Sequence, residues 1–440
     1  MGVVVAKFGG SSVADGIQIE KTKEIITSDD RRRYIVVSAP GKRFESDIKI
    51  TDVLYLCYTH KEQNLPYDQL LQVIGDRFLA MEANLGGNVD VLKEMAVIKE
   101  AMKTGCSEDY IASRGEYLSA LLIADYLGYD FVDTAGLIQF DSTGRMLEDE
   151  TNEALGRELA KHERAVLPGF YGTYQGSDVI KTFSRGGSDI TGAVVARAVN
   201  AEVYENWTDV SGFLMADPHV VDNPKPIETI SYTELRELSY MGASVLHEDA
   251  IYPAKAAGIP INIKNTNAPD DPGTMITAHP EEKSGTNIVT GIAGRKDFTF
   301  ISIYKAKMVS ERGFVRKILS ILADFNCNFE HIPSGIDTVS VVISNKDIGG
   351  RLKDIVDAFE KQLQPDHMEC SENMALIATV GYGMSRRKGV AARLFTALAN
   401  ADVNLRLIEQ GSSEINIIIG VENQDYETAI RAIYKEFATE

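Results

Sequence analysis

Val3-Val4-Val5 runs into Lys7-Phe8-Gly9-Gly10-Ser11-Ser12, and an apolar helical face with Ile25 and Ile26 follows. A β-branched run, two glycines and a helix start make a strand–turn–helix corner. The spacing predicts a helix capped by Ser11 or Ser12, with Asp15 in its first turn. Glycines without Cβ atoms let backbone N–H groups approach an anion at a helix N-terminus. Lys7 adds a full positive charge beside that cradle. On this turn alone a phosphate site and an ordinary corner with a surface lysine are both open, because short glycine motifs recur by chance. The architecture is more constrained. A chain that opens this way and keeps alternating strand and helix folds as a parallel sheet between helices.

The alternation runs to about residue 280. Tyr34 to Ser38 reads as a buried strand, and residues 42–52 as a polar loop or flap ahead of a helix with Leu54, Leu56 and Tyr58. Residues 67–84 and 88–103 read as helices. Ser113-Arg114-Gly115-Glu116 opens another, which places Glu116 in a first turn. Val179 to Phe183 is a strand that enters Arg185-Gly186-Gly187-Ser188-Asp189, a second Gly-Gly turn before a helix. Val203 to Trp207 ends in Thr208-Asp209, ahead of Phe213, Asp217 and His219; Ile259 to Ile263 ends at Lys264. In open α/β sheets such strand ends carry ligands. Four polar ends of this kind favour a polyphosphate site over coincidence.

After a boundary region (265–273 and 281–285) the pattern changes. Two units of similar size each run strand, glycine-opened helix, strand, strand, helix, with Gly313 and Gly389 opening the helices. An internal repeat with few catalytic-type residues reads as small-ligand sensing or assembly modules.

The formal charge of −19 argues against nucleic-acid or anionic-membrane partners. It also means that ATP could bind only where local cations oppose the global field, and Lys7, Arg185 and Lys264 sit at the suspect ends. Four scattered cysteines without metal-ligand spacing fit a reducing cytoplasm. The sequence offers no metal cluster of its own. One assignment stays open from the residues alone: Glu116 either favours the helix dipole or receives a substrate ammonium. Arg185 and Asp189 read as functional, and for Asp189 an N-cap role is compatible with that. Trp207 and Tyr171 read as packing residues.

Taken together, Lys7-Phe8-Gly9-Gly10-Ser11-Ser12-Val13-Ala14, Val37-Ser38-Ala39, Arg114-Gly115-Glu116, Arg185-Gly186-Gly187-Ser188-Asp189, Thr208-Asp209-Val210 and Ala216-Asp217-Pro218 resemble the aspartokinase family. Gln410-Gly411-Ser412-Ser413-Glu414 belongs to the same likeness, which covers essentially the whole chain. The resemblance implies an amino acid kinase fold over 1–285, a mainly parallel sheet sandwiched by helices, then two ferredoxin-like ACT domains at 296–370 and 371–440. It implies MgATP-dependent phosphorylation of the aspartate side-chain carboxylate, the first step toward lysine, threonine and methionine, with ATP and Mg²⁺ as cofactors. Lys7 and Asp189 would be catalytic. Ser38, Thr51, Glu116, Arg185 and Ser188 would bind aspartate. Lys7, Gly9, Gly10, Ser11, Thr208, Asp209, Phe213, Asp217 and Lys264 would bind the nucleotide. Met308, Ser310, Gly313, Phe314 and Asp337 would form a regulatory site for lysine, in a homodimer or dimer of dimers. The alternatives are a kinase for another amino-acid carboxylate such as glutamate, and a catalytically dead amino-acid sensor.

Overall fold

The computed structural model describes residues 2–184, 186–243, 248–278 and 288–438. The chain divides into two compact units: Met1–Phe213 with Pro226–Leu235 and Val245–Ser284, and Leu214–Lys225 with Arg236–Ser244 and Gly285–Glu440.

Along the first part of the chain the elements are β1 (Val4–Phe8), α1 (Gly16–Thr27), β2 (Arg32–Val37), α2 (Ile50–Glu62), α3 (Asp68–Leu85), α4 (Val91–Thr104), α5 (Glu108–Leu127), β3 (Asp130–Phe131), β4 (Gln139–Phe140), α6 (Glu148–Leu159), β5 (Ala165–Pro168), β6 (Tyr171–Tyr174), β7 (Ile180–Thr182), α7 (Gly187–Ala198), β8 (Val203–Thr208), β9 (Thr229–Ser231), α8 (Tyr232–Tyr240), α9 (Glu248–Ala256), β10 (Ile261–Asn265) and β11 (Thr274–Thr277). Eight strands form one sheet in the order β3-β5-β2-β1-β8-β10-β11-β9, and only β10 with β11 is antiparallel. β1 lies between β2 and β8, with Lys7 level with Val36 and Asn206. Val4, Val5, Ile35, Val36 and Val37 are fully buried, as strands covered on both faces must be.

Four details differ from the sequence-based expectations. Asp15, not Ser11 or Ser12, caps α1, accepting the Gln18 N–H at 2.9 Å. Gly10–Val13 is instead a tight 3-10 turn. Backbone crowding accounts for this: a Cβ on Gly10 would stand 2.9 Å from the Ala39 carbonyl, so the chain must hug the end of β2 before a helix can begin. α5 starts at Glu108, capped by Ser107, so Glu116 lies in mid-helix and the dipole explanation for it falls away. β7, ahead of the second Gly-Gly turn, belongs to a separate three-stranded sheet (β4-β6-β7), not to the main one. Lys264 lies inside β10, level with Trp207, not in a loop after the strand.

The second unit contains β12 (Gly291–Tyr304), α10 (Phe314–Asp324), β13 (Thr338–Ser344), α11 (Asn345–Ile348), α12 (Leu352–Leu363), β14 (His367–Val380), α13 (Val390–Asn400), β15 (Leu407–Glu409), β16 (Asn416–Glu422) and α14 (Tyr426–Phe437). Its sheet, β13-β12-β14-β16-β15, is antiparallel throughout. The expected repeat is present, and Gly313 and Gly389 cap α10 and α13 at φ 79° and 88°. In the first repeat the strand before β13 shrinks to isolated bridges, His331 to Val342 and Ser334 to Val339. Pro333, with no N–H to donate, sits between them.

β12 and β14 each serve both repeats. Phe298–Tyr304 pairs with β13, whereas Gly291–Arg295 pairs with the end of β14 that also holds β16. A bulge between Arg295 and Phe298, with Asp297 at φ 71°, separates the two halves. Residues 370 and 371, where one module was expected to give way to the next, are neighbours inside β14. Two apolar cores fill the unit: Ile301, Val341, Phe314 and Phe359 in one, Ile377, Ile417, Leu394 and Ile433 in the other. No helix among the described residues is long and apolar enough to cross a membrane.

Candidate active site

β1 delivers Lys7, 6% exposed, to the carboxyl end of the main sheet. Its Nζ lies 2.5 Å from Asp189 Oδ1 and 3.5 Å from Asn206 Oδ1, and the Asn206 amide donates to the same Asp189 oxygen at 2.9 Å. Asp189 sits in the first turn of α7, whose N-cap is Gly186 in the left-handed region at φ 59°. The second Gly-Gly turn is wedged against Phe170: a Cβ on Gly187 would meet the Phe170 ring at 2.5 Å. Phe170 itself holds φ 80°. At the first turn, Gly9 donates its N–H to the Trp207 carbonyl at 2.9 Å, and Gly10 accepts from Gly41 at 2.8 Å. The N–H groups of Gly10 and Ser11 have no acceptor among the described residues, as expected for orphan donors at a helix start.

Lys7, Ser38, Thr51, Glu116, Phe170, Gly186, Gly187, Ser188 and Asp189 line one cavity of about 170 Å³. That is well below the ~300–1,000 Å³ of drug-sized pockets and suits a small, polar molecule. Glu116 is 5% exposed, and its Oε2 has no hydrogen-bond partner. Burial pushes its carboxyl up to about 8, against the lowering effects of the Ala39 backbone and the Arg114 and Lys7 charges. A buried carboxyl with one unpartnered oxygen at one wall and a lysine at another make a site with opposite electrostatic demands at its two ends.

Gly115 permits this placement. A Cβ there would stand 2.6 Å from Ala39 Cβ and 3.3 Å from Leu54 Cδ1. Gly115→Ala is therefore expected to cost about 1–3 kcal/mol of stability. Because Ala39 adjoins Ser38, it should also weaken substrate binding severalfold. Urea denaturation and steady-state kinetics on one preparation would check both.

Other expected residues lie elsewhere. Lys264 Nζ stands 5.1 Å from the Trp207 ring centre, and Thr208 donates to Asp209 at 3.1 Å; Thr266 ties β10's end to the Thr208 carbonyl at 2.9 Å. Phe213 is 2% exposed and anchored through its N–H to Thr274 Oγ1 at 2.7 Å. Asp217 belongs to the second unit, where Oδ1 accepts the His219 N–H at 2.8 Å. Arg185 lies outside the described residues. Met308 and Phe314 are buried in the second unit, Ser310 is exposed, and Asp337 Oδ1 accepts the Lys307 N–H at 2.7 Å. Trp207 and Tyr171 are core residues, 1% and 0% exposed. Phe170, Asn206 and Arg114 were not foreseen in the site. Asn206, a polar residue inside the strand VYENWT, carried a signal in the sequence. Arg114, 7% exposed, is held against the rings of Tyr110, Tyr117 and Tyr171.

This parallel-sheet site beside two glycine turns is that of a small-molecule kinase, and the amino acid kinase family model matches residues 2–265. An ACT domain model matches residues 377–437. Aspartokinase 3 of Bacillus subtilis is 37% identical over 98% of both chains. The crystal structure of Clostridium acetobutylicum aspartate kinase, described as an allosteric enzyme, is 50% identical, with TM-score 0.93, covering 99% of this chain and 100% of that one. E. coli aspartokinase III, solved with aspartate and ADP and also with lysine and aspartate, is 25% identical, with TM-scores of 0.72 and 0.73; each match covers 99% of this chain, and 100% and 99% of the respective solved chains. The chain belongs to the aspartokinases, as an allosterically regulated aspartate kinase.

Proposed function

We propose that the enzyme transfers the γ-phosphoryl group of ATP to the side-chain carboxylate of L-aspartate, giving 4-phospho-L-aspartate and ADP at the head of lysine, threonine and methionine biosynthesis. The observation that carries this is the cavity itself, with Glu116 unpaired at one wall and Lys7 beside Asp189 at another. Glu116 receives the substrate ammonium. The hydroxyls of Ser38, Thr51 and Ser188, with Arg185, hold the carboxylates. A carboxylate oxygen attacks the γ-phosphorus while the bond to the β-bridging oxygen breaks and ADP leaves with that electron pair. The nucleophile, with an ordinary pKa near ~3.9, is already ionised. No base is required, and Asp189 orients Lys7. Phosphoryl transfer of this kind rests on positioning and charge neutralisation.

Lys7, with the free N–H groups of Gly10 and Ser11, faces the phosphates; Thr208, Asp209, Phe213 and Lys264 are assigned to the rest of the nucleotide. Mg²⁺ is assigned as the nucleotide's companion, where it supplies charge neutralisation. Such an ion would be held mainly by the nucleotide phosphates and water, with Asp189 the carboxylate at the site that would face its water shell. Lysine is the proposed effector, at Met308, Ser310, Gly313, Phe314 and Asp337, in an oligomer joined through the ACT modules; the lysine complex of the E. coli relative supports this reading.

A hydroxamate trap with aspartate and with glutamate, repeated with lysine and threonine alone and together, tests these assignments. Aspartyl hydroxamate formed only with aspartate, and suppressed by lysine, is the expected result. Equal yield from glutamate overturns the substrate, and indifference to lysine overturns the effector.

A further inference from the structure

The flap between β2 and α2 buries little apolar surface and holds itself by a few hydrogen bonds, among them the Asp47 N–H on the Phe44 carbonyl at 3.0 Å and Lys42 Nζ on the Glu45 carbonyl at 3.1 Å. From Lys42 to Lys49 every residue is exposed except Asp47, and the flap's two large apolar side chains, Phe44 and Ile48, are each 58% exposed. No packing fixes the flap's tip. Its base is closed by the Ile50 N–H on the Pro40 carbonyl at 3.1 Å, one residue before Thr51.

What fixes the tip is Arg77, an 8% exposed residue of α3. One guanidinium nitrogen donates to the Ala14 carbonyl at 3.0 Å and to the Gly41 carbonyl at 3.4 Å; the other donates to Asp47 Oδ2 at 2.7 Å. Ala14 follows the first Gly-Gly turn. Gly41 ends the β2 segment that donates to Gly10 at 2.8 Å. One buried fork therefore touches the phosphate-side turn, the end of β2 and the flap that leads into Thr51.

We propose that Arg77 is a positioning residue for the reaction, holding the flap that leads into Thr51 in register with the Gly9-Gly10 turn through Asp47. This rests on the reading of the cavity as the aspartate site. Arg43 supports the anchor from the flap itself, with Nε 2.8 Å from Asp47 Oδ2. Hydrogen bonding from Arg43, and the nearby Arg77 charge, hold the Asp47 carboxyl well below the usual carboxylate range despite its burial. The planar fork is essential, because a lysine offers a point charge without the geometry to serve three acceptors on separate segments.

Steady-state kinetics of Asp47→Asn, Arg77→Met, Arg77→Lys and Thr51→Val, each with a melting curve, test this. Asp47→Asn frees the flap but leaves Arg77 on Ala14 and Gly41. It should lower kcat/KM for aspartate about 10-fold or more, with KM for ATP changed less than about twofold. Arg77→Met should impair both substrates, Arg77→Lys should not rescue it, and the Asp47→Asn/Arg77→Met double variant should lose less than the sum of the two single losses, because the two residues share a contact. Lowered melting temperatures with kcat/KM for both substrates within about twofold of the parent would overturn the proposal in favour of plain structural support. Unaltered aspartate kinetics in Thr51→Val would instead overturn the reading of the cavity on which it rests.

Discussion

Lys7→Ala should lower kcat by about 10²–10³ while the protein stays folded. In the proposed reaction the attacking carboxylate and the γ-phosphate are both anionic, and Lys7 Nζ is a buried cation lining the cavity. The fold tolerates its loss because its partner, Asp189, keeps the Asn206 amide at 2.9 Å and a side chain that is 19% exposed. Lys7→Arg should not restore activity. Nζ is a compact point charge 2.5 Å from Asp189 Oδ1, and the larger planar guanidinium does not reproduce it. Rates from the hydroxamate assay, with circular dichroism on the same samples, would decide. A folded Lys7→Ala enzyme with near-parental kcat would remove Lys7 from the chemistry.

Glu116→Gln should lower kcat/KM for aspartate by about 10²-fold at pH 8, and by much less at pH 6. The pH dependence follows from the raised carboxyl, at about 8. Below that pH the empty site holds Glu116 protonated, so docking an ammonium must expel a proton. In the parent enzyme kcat/KM for aspartate should climb about tenfold per pH unit from pH 6 and level off near pH 8. The glutamine variant should show no such climb. Stability should move in the opposite sense. A carboxyl raised on folding destabilises the native state progressively as pH rises from its ordinary value through about 8. The ligand-free variant should therefore melt above the parent at pH 8–9 and alongside it at pH 4. A flat parent pH profile would break the link between Glu116 and the substrate ammonium.

The first glycine turn and the alternation of strand and helix placed the main sheet, and the glycine-opened repeat placed the second unit, because both depend on local backbone preference. The site was harder to read, for reasons visible in particular residues. Glu116 was misplaced at a helix start because the polar run Glu108-Asp109-Tyr110 hid the true cap at Ser107. Its importance comes from what surrounds it, since only the fold reveals a carboxyl without a partner. Phe170 carries no signal for φ 80°, a conformation imposed by the close approach of Gly187. Arg77 lies in an ordinary amphipathic helix, and its three acceptors come from segments 30 to 63 residues away. The motif residues that line the cavity were readable; the side chains that brace those motifs were not.

The two long strands of the second unit set a limit on how regulation can be moved between enzymes. Each contributes one end to either ACT module, so a cut between residues 370 and 371 would split the half of β14 that pairs with Phe298–Tyr304 and leave the C-terminal piece without Gly291–Arg295. Neither module can be lifted out with its sheet whole. Grafting feedback control onto another enzyme would require transplanting the pair as one piece, and a sensor for a different amino acid is better sought by redesigning one module in place than by exchanging it.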